Sequence, residues 1–267
     1  MAKLVLICAP LICLCATAAQ AEDGKLLVST ERTNFTGSYG KLLETSLISN
    51  RDWGATALTL GASYGKREFG STSSSSVRLA GTLHHDFGPR FFTRSSIAVS
   101  RNQPVFATRE IAQDLNFKPM RSAVLTVGGK YARYFDNRDA LSWSAGGSYY
   151  FKRGFASYRF SSYDVTNLGK SHGHLGSVRI KDGTGSGSTQ LWLGSGTSLH
   201  NQLQLPVTRE GKYRSFALQR FQPLNDSLGI NVGVGRTRYE TGLDRYRGTS
   251  VSFGLTLKEP SKLFRRR

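Results

Sequence analysis

Serine and histidine residues in the second half of this sequence are the first candidates for chemistry. His172 and His174 are separated by one residue, and His200 closely follows Ser195 and Ser198. A histidine that accepts the proton of a nearby serine generates the nucleophile of ester hydrolysis, and hydrolases of membrane lipids use such pairs. Serine is abundant along the chain, however, and no Gly-x-Ser-x-Gly turn marks one serine as the nucleophile. The sequence therefore predicts no enzyme, with a hydrolase of lipid A or phospholipid as the alternative.

Metal and cofactor chemistry find little support in the sequence. His84 and His85 are adjacent in a segment with strand-like alternation, so their side chains face opposite sides of a sheet and cannot share a metal ion. The glycine-rich segment 183–187 resembles a phosphate-binding loop only superficially, because no lysine and no helix follow it. We expect neither a metal nor a cofactor.

The first 21 residues have the three parts of a secretory signal peptide. Lys3 gives a positive start, an apolar run follows to residue 17, and residues 19–21 form an Ala-x-Ala cleavage site. All three cysteines lie before this site, which excludes disulfides and thiolate metal sites from the exported chain. The formal net charge of +18 at pH 7 predicts an anionic partner. Export argues against nucleic acid as that partner.

Alternating strands are the elements that must position these residues. In several segments apolar residues occupy every second position and glycine or serine stands between them. A soluble β-sandwich would bury the apolar face, whereas a membrane barrel turns it toward lipid. The small polar face and the aromatic residues near strand ends favour an all-β, antiparallel transmembrane barrel. Its lipid-facing residues would include Leu141, Trp143, Val232, Val234, Val251, Phe253 and Leu255.

The number of strands and the domain boundaries follow from the connections. From Trp53 to Leu257 the pattern contains 12 strands, and residues 22–49 add either a hairpin, which makes 14, or a periplasmic lead-in. The barrel would then span residues 50–257, and the basic segment 258–267 would be a periplasmic tail. All six prolines after the leader are expected between strands, one of them in a tight turn at 116–119. Short turns that alternate with longer loops indicate an outer-membrane barrel.

Ionisable residues on the polar face of the strands would line the lumen. By strand parity the inward-facing candidates are Arg78, Arg94, Glu110, Asp114, Arg159 and Arg179. Excess arginine in a pore favours anions, which predicts a passive path for small anionic solutes or glycans, connected with surface polysaccharide. The other interpretation is structural: the charges pair across a filled lumen that conducts nothing.

Basic residues also crowd the ends of the strands next to the longer loops. This set contains Lys66, Arg67, Arg101, Arg109, Arg133, Arg138, Lys170, Arg209, Lys212, Arg214, Arg236, Arg238, Arg245 and Arg247. Lipopolysaccharide in the outer leaflet carries sugar phosphates, and guanidinium groups bind phosphate oxygens in a bidentate manner. The sequence therefore predicts outer-membrane lipid and lipopolysaccharide as partners, with Arg236, Arg238, Arg245 and Arg247 as the phosphate-binding candidates. A merely solvated rim is the alternative.

A series of motifs resembles a known family. The motifs are Asn50–Trp53 at the start of a strand, Gly128–Tyr131 followed by Tyr134, and a strand from Trp143 that ends in the turn 151–154. In this order they resemble the YaiO family of outer-membrane β-barrel proteins over most of residues 25–257. The resemblance implies a barrel of the 12-stranded type and supplies no catalytic residue. The last strand is also similar to the terminal signal that the barrel-assembly machinery recognises, although Leu257 stands where a terminal aromatic is usual.

Overall fold

The computed structural model describes residues 24–183, 187–197, 211–241 and 245–258, and these form a closed antiparallel barrel. Every strand pairs with its neighbours in sequence, and β1 closes the barrel against β14. The strands are β1 (Lys25–Phe35), β2 (Lys41–Trp53), β3 (Thr56–Phe69), β4 (Thr72–Asp86), β5 (Phe91–Ser100), β6 (Arg109–Met120), β7 (Ala123–Arg133), β8 (Asp139–Phe151), β9 (Gly154–Val165), β10 (Gly169–Lys181), β11 (Ser188–Thr197), β12 (Lys212–Pro223), β13 (Leu228–Glu240) and β14 (Arg245–Lys258). The predicted fold class is confirmed, with the larger of the two strand counts.

The first two strands explain why the count is 14 rather than 12. Lys25 lies opposite Lys258 and Phe35 lies opposite Gly248, so β1 completes the hydrogen-bonded ring. In hydrocarbon an unpaired sheet edge is too costly, and closure removes it. The alternation in this region is weak because polar residues such as Thr30, Arg32 and Thr45 interrupt its outer face, while Glu31 and Glu44 lie opposite each other on the inner face. The smaller count implied by the family resemblance is therefore wrong for this chain.

The outer face of the barrel carries the apolar side chains. Leu141 is 63% exposed and Val232 is 45% exposed, and Trp143, Val234, Val251, Phe253 and Leu255 are exposed as well. A soluble sandwich would bury these residues between two sheets, so the observed exposure excludes that alternative. Large apolar side chains outside and small polar ones inside are the arrangement of a membrane barrel.

A charge on this apolar face should destabilise the barrel. We expect Val232→Arg to lower the free energy of unfolding by about 2–4 kcal/mol if the residue lies near the bilayer midplane, because the guanidinium must enter hydrocarbon. The measurement is urea-induced unfolding in lipid vesicles. Asn231→Arg is the control. Asn231 is the next residue along the strand, and its side chain faces the lumen, where it donates a hydrogen bond to Thr256. An equal loss in both variants would contradict the assignment of the two faces.

The two ends of the barrel differ in their connections. One end has the short connections 54–55, 87–90, 121–122, 152–153 and 224–227, and there β10 also ends and β11 begins. The other end has the connections 36–40, 70–71, 101–108, 134–138 and 166–168, and there β11 and β13 end and β12 and β14 begin. Because outer-membrane barrels place their longer loops outside the cell, we assign the second end as the outer end.

Some predicted connections lie elsewhere. No turn forms at 116–119, because β6 continues to Met120 with a register shift between Phe117 and Met120. Pro119 lies in this irregular part and Pro223 is the last residue of β12, so both are inside strands, at places where no ladder donor is needed. At the other end of the barrel, Gly70 and Ser71 alone connect β3 to β4. The predicted signal peptide and most of the predicted tail lie outside the described residues.

Within the described ranges, no helix has the length and apolar character needed to cross a membrane.

Candidate functional site: the lumen and the outer rim

One group of charges joins three strands on the inner wall. Arg78 on β4 donates to Glu110 on β6 at 2.6 Å, and Lys130 on β7 contacts the other oxygen of that carboxylate at 2.9 Å. Arg78 reaches past β5, which is possible only on the concave side of the barrel. This outer charge group therefore consists of two cations that share one carboxylate.

A second group lies deeper and spans more strands. Arg159 on β9 donates to Asp114 on β6 at 2.5 Å and to Ser144 at 2.6 Å, while Arg94 approaches the same carboxylate at 3.9 Å. A Cβ atom at Gly128 would lie 2.1 Å from an Asp114 oxygen, so this position must be glycine for the pair to form. This inner charge group again contains two cations and one carboxylate.

Arg179 stands apart from the other predicted lumen residues. It lies on the inner face of β10 toward the periplasmic end, where its guanidinium donates to Ser188 at 3.0 and 3.1 Å. The structure thus brings together five of the six candidates, namely Arg78, Arg94, Glu110, Asp114 and Arg159, and leaves Arg179 outside the cluster.

The opposite wall of the lumen is almost uncharged. The described inner face of β11 to β14 consists mainly of glycine, serine, alanine and threonine, with tyrosine near the outer end. On the described part of this wall Lys258, at the end of β14, is the one residue that is Asp, Glu, Lys or Arg. The charged side chains of β4 to β9 therefore face small neutral residues, and space remains between the two walls.

That space is a cavity of about 310 Å³ in the lumen. Both charge groups line it on one side, and Ser215, Gly235 and Ser250 line it on the other. Glu31 also contributes to the wall, so the lining holds four inward-facing cations and three carboxylates, and Glu44, opposite Glu31 on the inner face of β2, adds a fourth carboxylate to the lumen. Tyr134, Tyr163, Tyr213 and Tyr239 contribute aromatic rings to the same cavity.

The connection 101–108 folds into the outer mouth of the barrel. Val105 and Phe106 are each only 2% exposed, and they pack against Phe35, Leu42, Tyr239 and Tyr246. These partners belong to β1, β2, β13 and β14, so the segment crosses the mouth from its own strands β5 and β6. The next residue, Ala107, lines the cavity. We call residues 102–107 the plug loop.

The predicted phosphate-binding arginines lie on the outside of the barrel. Arg236, Arg238, Arg245 and Arg247 are exposed and follow the parity of the lipid-facing residues Val234 and Val251. Arg67 does not belong to the predicted basic rim, because it points inward and is 2% exposed. Its guanidinium lies 4.2 Å from the ring centre of Phe35 and donates to the carbonyl of Tyr39. Arg209, also predicted for the rim, lies outside the described residues.

A serine–histidine arrangement is present on the same outer face. Ser195 on β11 lies directly opposite His174 on β10, and Arg214 on β12 lies directly opposite Ser195. The Tyr158 hydroxyl is 2.7 Å from Nδ1 of His174. The four residues line one shallow groove. His200 and Ser198 lie outside the described residues, which also contain no cluster of three or more potential metal ligands.

The periplasmic connection between β10 and β11 is held by an ion pair. Arg220 donates to both oxygens of Asp182, at 2.7 and 2.5 Å. These hydrogen bonds lower the pKa of Asp182. A Cβ atom at Gly187 would approach both partners within 2.6 Å, so glycine leaves room for the pair. Arg220 shares the outward parity of Phe216 and Leu218, so the pair lies on the outer face at the periplasmic end.

Two parts of this site could have been recognised from the sequence. Lys130 shares its parity with Gly128 in a segment that was already identified as a strand, and parity alone places it inside. The plug loop contains the apolar run Pro104–Ala107, although it connects two strands at the outer end. An apolar run in an outer loop is a signal for contact with the barrel.

Comparisons with known proteins agree with this architecture. A family model described as the YaiO membrane beta barrel domain matches residues 23–201. A bacterial polysaccharide outer membrane secretin is similar with a TM-score of 0.60 and 12% identity, over 89% of this chain and 99% of that one. The CymD monoaromatic hydrocarbon channel has a TM-score of 0.64 at 7% identity, over 90% and 89%. An anion-selective porin from Comamonas acidovorans has a TM-score of 0.50 at 11% identity, over 88% and 98%. At these low identities the similarity shows a shared fold.

Proposed function

This chain belongs to the YaiO family of membrane β-barrel proteins, and on that premise we propose that its lumen is a passive path for small anionic solutes across the outer membrane. The observation that carries the proposal is the asymmetric lumen. One wall carries the outer and the inner charge group, each with two cations and one carboxylate. A wall of small neutral residues faces them across a cavity. An anion that passes through this cavity meets guanidinium and ammonium groups at two successive levels.

Carbohydrate is the anionic solute class that the cavity suits best. Tyrosine has an apolar ring and a polar hydroxyl, which match the mixed faces of a sugar, and four tyrosines line the outer part of the cavity. A polysaccharide secretin is among the barrels with a similar fold, which supports including glycans among the candidates. Acidic oligosaccharides would use both the rings and the cations.

Planar-bilayer recording of the purified protein tests the proposed path. We expect discrete conductance steps and, in a salt gradient, a reversal potential that indicates preference for anions. Acidic oligosaccharides should block the current when they are added on the outer side. A protein that remains at the lipid baseline would contradict the path and would leave the barrel a structural role.

A second candidate function, hydrolysis of lipid esters, is favoured by the outer groove. In the tautomer in which Nδ1–H of His174 donates to the Tyr158 hydroxyl oxygen, Nε2 is unprotonated and could accept a proton from Ser195. Arg214 stands on the other side of Ser195, where it could stabilise the oxyanion. In the structure His174 contacts Tyr158 rather than Ser195 Oγ, and catalytic contacts of this kind often tighten only when substrate binds.

Phospholipid hydrolysis in mixed micelles tests this candidate. We expect Ser195→Ala and His174→Ala to lower the rate roughly a thousandfold, since either change removes the nucleophile–base pair. A fluorophosphonate probe should label Ser195, as mass spectrometry of the labelled peptide would show. Ser162→Ala, an outward-facing serine on β9, is the matched control. Failure of the probe to label the parent protein would end the hydrolase candidate.

A further inference from the structure

Three arginines stand side by side on the outer face near the outer end of the barrel. Arg214 on β12 lies directly opposite Arg238 on β13, which lies directly opposite Arg247 on β14. All three are exposed and have the parity of the lipid-facing residues. Adjacent strands are about 4.8 Å apart, so three like charges occupy one short row. Like charges directly opposite each other destabilise a sheet unless something neutralises them.

The neighbouring positions add more positive charge. Arg236 lies next to this row on the side of the apolar band, and Lys212 and Arg245 lie next to it on the side of the loops. Glu240 stands between Lys212 and Arg245 and is 4.0 Å from the Arg245 guanidinium. Among the described residues at the outer end of this face of β12 to β14, six cations are thus accompanied by one carboxylate. We call Lys212, Arg214, Arg236, Arg238, Arg245 and Arg247 the basic patch.

The basic patch begins where the apolar band ends. Val234 and Val251 are directly opposite each other and are exposed, and Arg236 follows Val234 by two residues on the same face of β13. Two residues of a strand span about 7 Å. A lipid whose acyl chains lie along the apolar band would therefore place its polar group against the arginines. A site for a free ion would not need an apolar surface beside the charges.

Phosphate is the anion that fits this row. Guanidinium groups bind phosphate oxygens through two parallel hydrogen bonds, and neighbouring forks can hold one phosphate between them. We propose that the basic patch binds the sugar phosphates of lipopolysaccharide, with Arg214, Arg238 and Arg247 as the central contacts and the lipid chains against Val234 and Val251. Binding replaces the repulsion within the row by attraction to the lipid, so it also stabilises β12 to β14. The inference does not depend on whether the lumen conducts.

Thermal unfolding of the purified protein in detergent tests this site. Lipopolysaccharide should raise the melting temperature of the parent protein, and dephosphorylated lipopolysaccharide should raise it much less. In the triple variant Arg214→Gln, Arg238→Gln, Arg247→Gln, we expect the apparent affinity for lipopolysaccharide to fall roughly tenfold or more. The separate variant Arg236→Gln, Arg238→Gln, Arg245→Gln, Arg247→Gln should show a loss of similar or greater size.

A matched control separates the row from general charge. Lys66→Gln, Arg101→Gln, Arg109→Gln removes the same number of positive charges from exposed positions elsewhere on the outer rim, and it should bind like the parent. Circular dichroism of each variant establishes that the barrel is folded before binding is measured. Equal binding by the parent and the row variant would overturn the proposal. So would full stabilisation by inorganic phosphate, which would indicate a site for a free ion, or by phosphatidylglycerol vesicles, which would indicate phospholipid.

Discussion

Opening the plug loop should raise the single-channel conductance several-fold. Val105 and Phe106 fill the outer mouth between the loop and the walls formed by β1, β2, β13 and β14. Replacement of both residues by glycine removes the apolar contacts that hold the loop across the mouth, and the loop then has no reason to remain inside. The cavity below it would then open more widely to the outer solution. Planar-bilayer recording of Val105→Gly, Phe106→Gly beside the parent gives the measurement.

The control for the plug loop changes its exposed residues. Asn102→Gly, Gln103→Gly alters the same connection where the side chains face solvent, and it should conduct like the parent. Deletion of residues 102–107 with a two-glycine linker should exceed the effect of the point changes, because it removes the obstruction. Unchanged conductance in the deletion would show that the narrowest part of the path lies elsewhere.

Side-chain facing could be predicted from the sequence because strand parity is a local property. Arg78 and Leu79 are neighbours in sequence, and the pleat alone sends one inward and the other outward. The apolar residues Val232 and Val251 were assigned to the lipid side for the same reason. Arg67 was assigned to the rim from its place at the end of a strand next to a loop, whereas its parity, which it shares with Gly65, turns it inward.

Contacts across the barrel could not be predicted, because they depend on closure and register. The Arg159–Asp114 pair joins β9 to β6, and its formation requires the curvature of the whole ring. The plug loop is similar, since its partners on β1 and β14 lie far from it along the chain. The alignment of Arg214, Arg238 and Arg247 in one row depends on the register of three strands, and a slip of one residue would turn one of them inward.

Exchange of the charge at Arg159 should shift the ion preference of the path toward cations. Arg159→Glu replaces a cation of the inner charge group by a carboxylate, so Arg94 is left beside two acids, Asp114 and the new glutamate. The net charge of the cavity wall changes by two units. We expect the anion-to-cation permeability ratio to fall several-fold, as the reversal potential in a salt gradient would show, because each charge within reach of the ion alters its energy by about 1 kcal/mol or more.

Two controls distinguish an effect of the lumen from loss of folding or of total charge. Arg32→Glu makes the same change of charge at an exposed position on the outer face of β1, and it should leave the reversal potential unchanged. Asp114→Arg, Arg159→Glu exchanges the two partners, restores the charge of the inner charge group and keeps an ion pair at the same place. Recovery of anion preference in this double variant, after its loss in Arg159→Glu, would assign the selectivity to the net charge of the inner wall. If Arg32→Glu shifted the reversal potential as much as Arg159→Glu, ions would be responding to the surface charge of the barrel, and the inner charge group could not be the selective element.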